Sequence, residues 1–179
     1  MIEISEYIEI NGIKQYVLIT GNENGPLMLF LHGGPGVSQI GFIRKYQSKL
    51  EKKFLVVNWD QRGAGKSNIK KFSRKELTID NIINDAISLI KILRERFKKT
   101  HVYLIGHSFG SLIGIILAQK IPQYIKVYIS VGQVVNINEA DKVTYKLLSQ
   151  KIKKENNNKG INILKKIGKP PYVTKDSIR

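Results

Sequence analysis

The chain has 179 residues, 42% hydrophobic and 25% charged, a balance that excludes a disordered or fibrous protein and sets the expectation of one domain plus a small appendage. Zero cysteines exclude disulfide scaffolds, thiol nucleophiles, Cys-based zinc sites and iron–sulfur clusters. The net charge is +16, but 24 of the 30 basic residues are Lys, and the 30 are spread as 19 over the first 137 residues and 11 over the last 42. Without Arg clusters or interleaved aromatics, this is chain-wide bias and not a nucleic-acid-binding face.

Residues 2–10 and 13–20 alternate apolar with polar and meet at Asn11-Gly12, the dipeptide of a tight hairpin turn. This opening carries acids where a signal peptide would carry bases, and no apolar run approaches the roughly 18 residues of a membrane span. A cytoplasmic protein is expected. Leu27–Leu31 is a continuous apolar run, a strand buried on both faces, and it ends in His32-Gly-Gly-Pro-Gly36. A helix is expected over 38–50, a second buried strand over 54–59, and then the glycine-rich loop Asp60-Gln-Arg-Gly-Ala-Gly-Lys-Ser67. Between Thr78, a helix cap, and Phe97, the apolar positions Ile79, Ile82, Ile83, Ala86, Ile87, Ile90 and Leu93 fall at helical spacing. A strand over 102–105, a helix over 109–120 and a strand over 125–131 complete an alternation that argues for a mostly parallel α/β sheet. An amphipathic helix over 139–155, a polar hinge at 156–158 and a short further helix close the chain.

The chemistry-bearing motif is Gly106-His-Ser-Phe-Gly110 between a strand and a helix. A nucleophilic serine must stand clear of the sheet on a strained turn, and any side chain at the flanking glycines would collide with neighbouring backbone. Ser108 is therefore the candidate nucleophile. Acyl transfer also needs two backbone N–H donors for the developing oxyanion. Those of Phe109, immediately after the serine, and Gly34, in the first glycine loop, are the candidates. Gly63-Ala-Gly-Lys-Ser67 is not a phosphate loop, because position 60 is Asp where that motif needs Gly. Asp60 and Arg62 are expected to brace their loop against the one carrying Gly34, and His32 to order the latter.

These three motifs, in this order, resemble the α/β-hydrolase superfamily, and more narrowly its proline iminopeptidase branch. The resemblance covers residues 2–135 and implies a partial α/β-hydrolase core over 1–135. That core has an antiparallel N-terminal hairpin and lacks the last strands, and residues 136–179 read as the start of a helical cap. It further implies a serine hydrolase that releases N-terminal residues, proline by resemblance, through an acyl-enzyme on Ser108. A serine at this position sets the chain apart from epoxide hydrolases and dehalogenases, whose nucleophile is an aspartate.

The superfamily's catalytic order is Ser, then Asp or Glu, then His, whereas His32, His101 and His107 all precede Ser108. His101 starts the strand that leads to the serine, about 20 Å away at about 3.3 Å per residue. Asp141 and Asp176 follow Ser108 but lie in the cap-like segment. The chain thus reads as the N-terminal part of a hydrolase, inactive alone, with an exposed edge strand at 125–131 open to self-association. Small peptides or esters are the expected substrates, and no metal or organic cofactor is implied. An esterase or lactonase, or a non-catalytic α/β binding module, are the alternative readings.

Overall fold

In the computed structural model, residues 1–68 and 74–172 are described, and the chain divides into two compact units, Met1–Val134 and Val135–Arg179. The expectation for Asp176 lies outside the described residues.

The first unit is built on six strands: β1 (Ile2–Ile10), β2 (Ile13–Gly21), β3 (Leu27–Leu31), β4 (Leu55–Trp59), β5 (Val102–His107) and β6 (Ile125–Val131). Their spatial order is β1-β2-β4-β3-β5-β6. β1, β2 and β4 pair antiparallel, and β4, β3, β5 and β6 run parallel. The hairpin closes as expected, with Asn11 and Gly12 both at positive φ (49° and 77°), the signature of a type I′ turn. β3 and β4 lie in the sheet interior, which is why their sequences are nearly uninterrupted apolar runs.

The helices of this unit are α1 (Ile40–Tyr46), α2 (Ser48–Glu51), α3 (Ile79–Arg96) and α4 (Phe109–Lys120). The single helix expected over 38–50 is in fact two pieces, broken at Gln47. This side chain is buried: it donates to Thr20 Oγ1 (3.2 Å) and Glu51 Oε1 (2.9 Å) and accepts from Asn58 (3.0 Å). Three polar contacts to two strands and a helix hold the chain inward where a regular amphipathic helix would have turned out. α3 begins as read, with Thr78 accepting from the Asn81 N–H at 3.1 Å. Its apolar stripe packs with Leu29, Val57, Trp59, Leu104 and Ile113 in one continuous core.

The second unit holds α5 (Ile137–Lys154) and α6 (Asn158–Ile167), capped by the side chains of Asn136 and Asn157. Neither helix has a buried residue. Among the described residues, no helix is long and apolar enough to cross a membrane.

Candidate active site

β5 ends at His107 and α4 begins at Phe109, so Ser108 occupies the turn between them with φ 51° and ψ −119°. A positive φ on a non-glycine residue is strained, by about 1–3 kcal/mol, and persists only where the surroundings over-determine it. Here they do. The Ser108 N–H donates to the Val131 carbonyl of β6 (2.9 Å). The Ser108 carbonyl accepts from the N–H of Ser111 (2.8 Å) and from its hydroxyl (2.5 Å). Ser111, fully buried in the first turn of α4, also takes the Val134 N–H at 2.9 Å, so one hydroxyl joins the turn to the end of the first unit. The sequence signal for this role is faint: a lone serine in the apolar stretch after Gly110.

The flanking glycines are required by space. A Cβ on Gly106 would lie 2.5 Å from the Gly110 carbonyl oxygen, and one on Gly110 would strike the Leu31 carbonyl. These contacts seat the turn tightly on the end of β3, with the N-terminus of a twelve-residue helix directly behind the serine. A helix N-terminus carries unpaired N–H groups and positive potential, which favours developing negative charge.

The loop after β3 lies against this turn. Gly33, which the sequence does not single out, is the point of approach: a Cβ there would be 3.1 Å from Ser108 Cβ and 3.2 Å from the His107 carbonyl. Gly34 follows with φ 119°, where a Cβ would meet the Gly36 nitrogen at 2.7 Å; the Gly34–Pro35 peptide is cis. Gln39 reaches back from the end of this loop to within 2.6 Å of His107 Nδ1.

His32 is 2% exposed and both its ring nitrogens are engaged. Nε2 accepts the Gln61 N–H (3.0 Å), which leaves the proton on Nδ1 to be donated to the Gly33 carbonyl (2.8 Å). The Gln61 amide in turn donates to the His32 carbonyl (3.0 Å), so the two glycine-rich loops are stitched together at His32. Burial lowers the His32 pKa below 6.5, outweighing the Gly33 hydrogen bond and the Asp60 charge, which push it up. With Nε2 occupied by a backbone donor, His32 has no lone pair to offer Ser108. His101 precedes β5 and bonds Thr100 at the end of that strand remote from the serine. Asp141 lies on α5.

Asp60 and Arg62 hold different neighbours of their loop. Asp60 Oδ2 accepts the Lys66 N–H (2.9 Å), closing its own loop, and a Cβ on Gly65 would collide with that carboxylate and with Ser38 of the neighbouring loop. Arg62 instead turns to α3, where Nε and Nη2 each lie 2.7 Å from the Asp85 carboxylate. Asp85, fully buried, accepts also from Gln15 (2.7 Å) and Asn11 (2.8 Å), and Gln15 accepts from the Trp59 indole (2.9 Å). Ser67 ends the loop, donating to the Asp60 carbonyl (2.6 Å) and accepting the Tyr16 N–H (2.7 Å). The motif is thereby anchored at both ends. Its last hydroxyl holds β2 and its arginine holds α3.

Among the described residues, no group of His, Asp and Glu is arranged to hold a metal ion. A cavity of about 920 Å³ lies between the hairpin turn and α3 and is not lined by Ser108.

A strand–turn–helix serine with forced glycine neighbours, on a mostly parallel sheet and against a glycine loop, defines a hydrolase fold. The sequence model described as the alpha/beta hydrolase fold matches residues 26–160, and the chain belongs to that family. It is 39% identical over 176 residues to a probable aminopeptidase, YbaC, of Bacillus subtilis (strain 168), covering 96% of this chain and 54% of the relative. It is 30% identical over 125 residues to a putative proline iminopeptidase of Mycoplasma genitalium, covering 69% of this chain and 38% of the relative. Among solved structures it is similar to a proline iminopeptidase-related protein from Thermus thermophilus, with 27% identity and a TM-score of 0.70 over 83% of this chain and 51% of that one. An epoxide hydrolase of Vigna radiata superposes with a TM-score of 0.60 at 29% identity, over 72% of this chain and 39% of that one. The chain spans about half the length, or less, of the curated relatives it matches.

Proposed function

We propose that this chain carries the nucleophile-bearing part of a cytoplasmic serine hydrolase of the proline iminopeptidase type. The observation that carries the reading is the Ser108 turn: a non-glycine residue held at φ 51°, ahead of α4 and against Gly33. In this reading Ser108 attacks the carbonyl carbon of an N-terminal residue. The Phe109 and Gly34 amides receive the oxyanion, the amine leaves, and water releases the acyl group. His32 joins the two loops, Asp60 closes the second and Arg62 ties it to α3. Residues 136–179 begin a helical cap over a partial core of residues 1–135. No histidine follows Ser108 in these 179 residues, so the general base is assigned to polypeptide outside them, and these residues alone are inactive. Without a base a serine hydroxyl is a poor nucleophile at neutral pH. The relatives' names support the peptidase class, and a serine in place of an aspartate separates the chain from the epoxide hydrolases.

The test is fluorophosphonate labelling of the protein as its source cell produces it, followed by intact mass and turnover. Labelling at Ser108 in a species well above 20.4 kDa, with release of proline from a dipeptide, is the expected result. Ester turnover alone would move the assignment to an esterase or lactonase. An unlabelled species at 20.4 kDa would overturn the catalytic reading.

A second reading rests on β6. It stands at the sheet edge, and Val127, Ile129 and Val131 on it are 39–48% exposed. Such an edge pairs readily with another strand. A non-catalytic module that self-associates through residues 125–131 would sediment as a dimer, and Val127→Lys would return it to monomer. A monomeric parent would sink this reading.

A further inference from the structure

The second unit contains a cleft of about 600 Å³ between α5 and the turn after α6. Lys142, Lys146 and Lys153 lie along one wall, Lys169 faces them from the other, and Tyr145 and Pro170 supply flat apolar surface. Among the described residues, no acid lines it. Lys142, Lys146 and Lys153 are spaced by four and seven residues, so they share one face of α5 over about 16 Å at about 1.5 Å per residue. Of these, Lys142 and Lys146 are one turn apart, a like-charge spacing that does not favour a helix.

Among the described residues, one acid of the unit is ion-paired with this row. Glu139 pairs with Lys142 (2.6 Å), and Glu155 lies 4.0 Å from Lys151, which does not line the cleft. Among the described residues Lys146, Lys153 and Lys169 have no acidic partner. Nearby, Gln150 adds a neutral amide, and Ser149 has its proton committed to the Tyr145 carbonyl (2.7 Å). No described Arg lines the cleft. Planar carboxylates are matched by the fork of a guanidinium, whereas a lysine ammonium is a point charge that suits tetrahedral phosphate oxygens from many directions.

We propose that this cleft binds a small polyanion of the polyphosphate class, its phosphates bridging Lys146, Lys153 and Lys169. The site is independent of the Ser108 chemistry. The experiment is isothermal titration of inorganic tripolyphosphate into the protein as its source cell produces it, at about 150 mM salt, where the Debye length is about 8 Å and diffuse surface attraction is screened. One ion per chain is expected. The double variant Lys146→Ala, Lys153→Ala should weaken binding by about tenfold or more, while Lys49→Ala, Lys52→Ala, an equal charge change on the exposed surface of the first unit, should leave it within about twofold. Circular dichroism of both variants reports whether the helices persist; if α5 is lost in the Ala variant, Lys146→Gln with Lys153→Gln replaces it. No binding at this salt, equal loss from both pairs, or several ions per chain would overturn the proposal. Equally tight binding of citrate would overturn the phosphate class.

Discussion

The two units differ in what their helices bury. In Met1–Val134, α3 alone buries seven residues, including Leu89, Ile90 and Leu93, at 5% exposure or less, in a core shared with five strands. In the second unit, α5 and α6 bury none, and Leu147 remains 59% exposed on a helix of eighteen residues. Amphipathic spacing is present in both. What separates them is the sheet: a helix stripe becomes a core only when a wide apolar surface lies opposite it, and α5 and α6 do not provide one for each other.

That contrast can be broken or sharpened in order of expected effect. Asp85→Ala removes the fully buried carboxylate on which Arg62, Gln15 and Asn11 converge. A loss of about 3–5 kcal/mol is expected in denaturant unfolding of the first unit. Leu104→Ala, at 0% exposure, should cost about 2–5 kcal/mol by the same measurement. Stability of the first unit should also depend on His32. Its folded pKa is lowered, so the unfolded chain binds a proton first. The contribution is fully present above pH ~6.5 and is lost as the pH falls below it, by at most about 1.4 kcal/mol per pH unit. Histidine NMR should place the His32 titration below that of a model imidazole, and unfolding curves at several pH values should give the slope. Asn136→Ala removes the side chain that caps α5 and should cost that helix about 1 kcal/mol, read by circular dichroism. Leu147→Ala should stay within about 0.5 kcal/mol. Amide exchange would check the whole contrast, with β3, β4 and β5 exchanging only on global unfolding and α5 and α6 much sooner.

Much of the architecture is legible in the sequence, because its signals are local. Asn11-Gly12 forms a turn on its own, Thr78 caps its own helix, and Gly106 and Gly110 announce a crowded turn by lacking side chains. What escapes is long-range and polar. Gln47 falls inside the helix expected over 38–50, yet partners on β2 and β4 pull it inside. Asp85 lies among Ile82, Ile83 and Ala86 with no local signal of its role; its burial becomes intelligible only once Arg62, Gln15 and Asn11 are known to converge on it. Gly33 is hard to tell from Gly34 because the motif contains several glycines. Only the position of Ser108 reveals which of them must be bare.

The hydroxyl of Ser111 has one further consequence. It grips the Ser108 carbonyl on one side and the Val134 amide on the other, and Val134 is the residue at which the chain leaves the first unit. Tension in the polypeptide beyond that point is delivered through two short bonds to the residue whose backbone is already the most strained of the turn. A pull on the tether would thus have two routes, along the backbone into β6 and through the Ser111 hydroxyl to the serine.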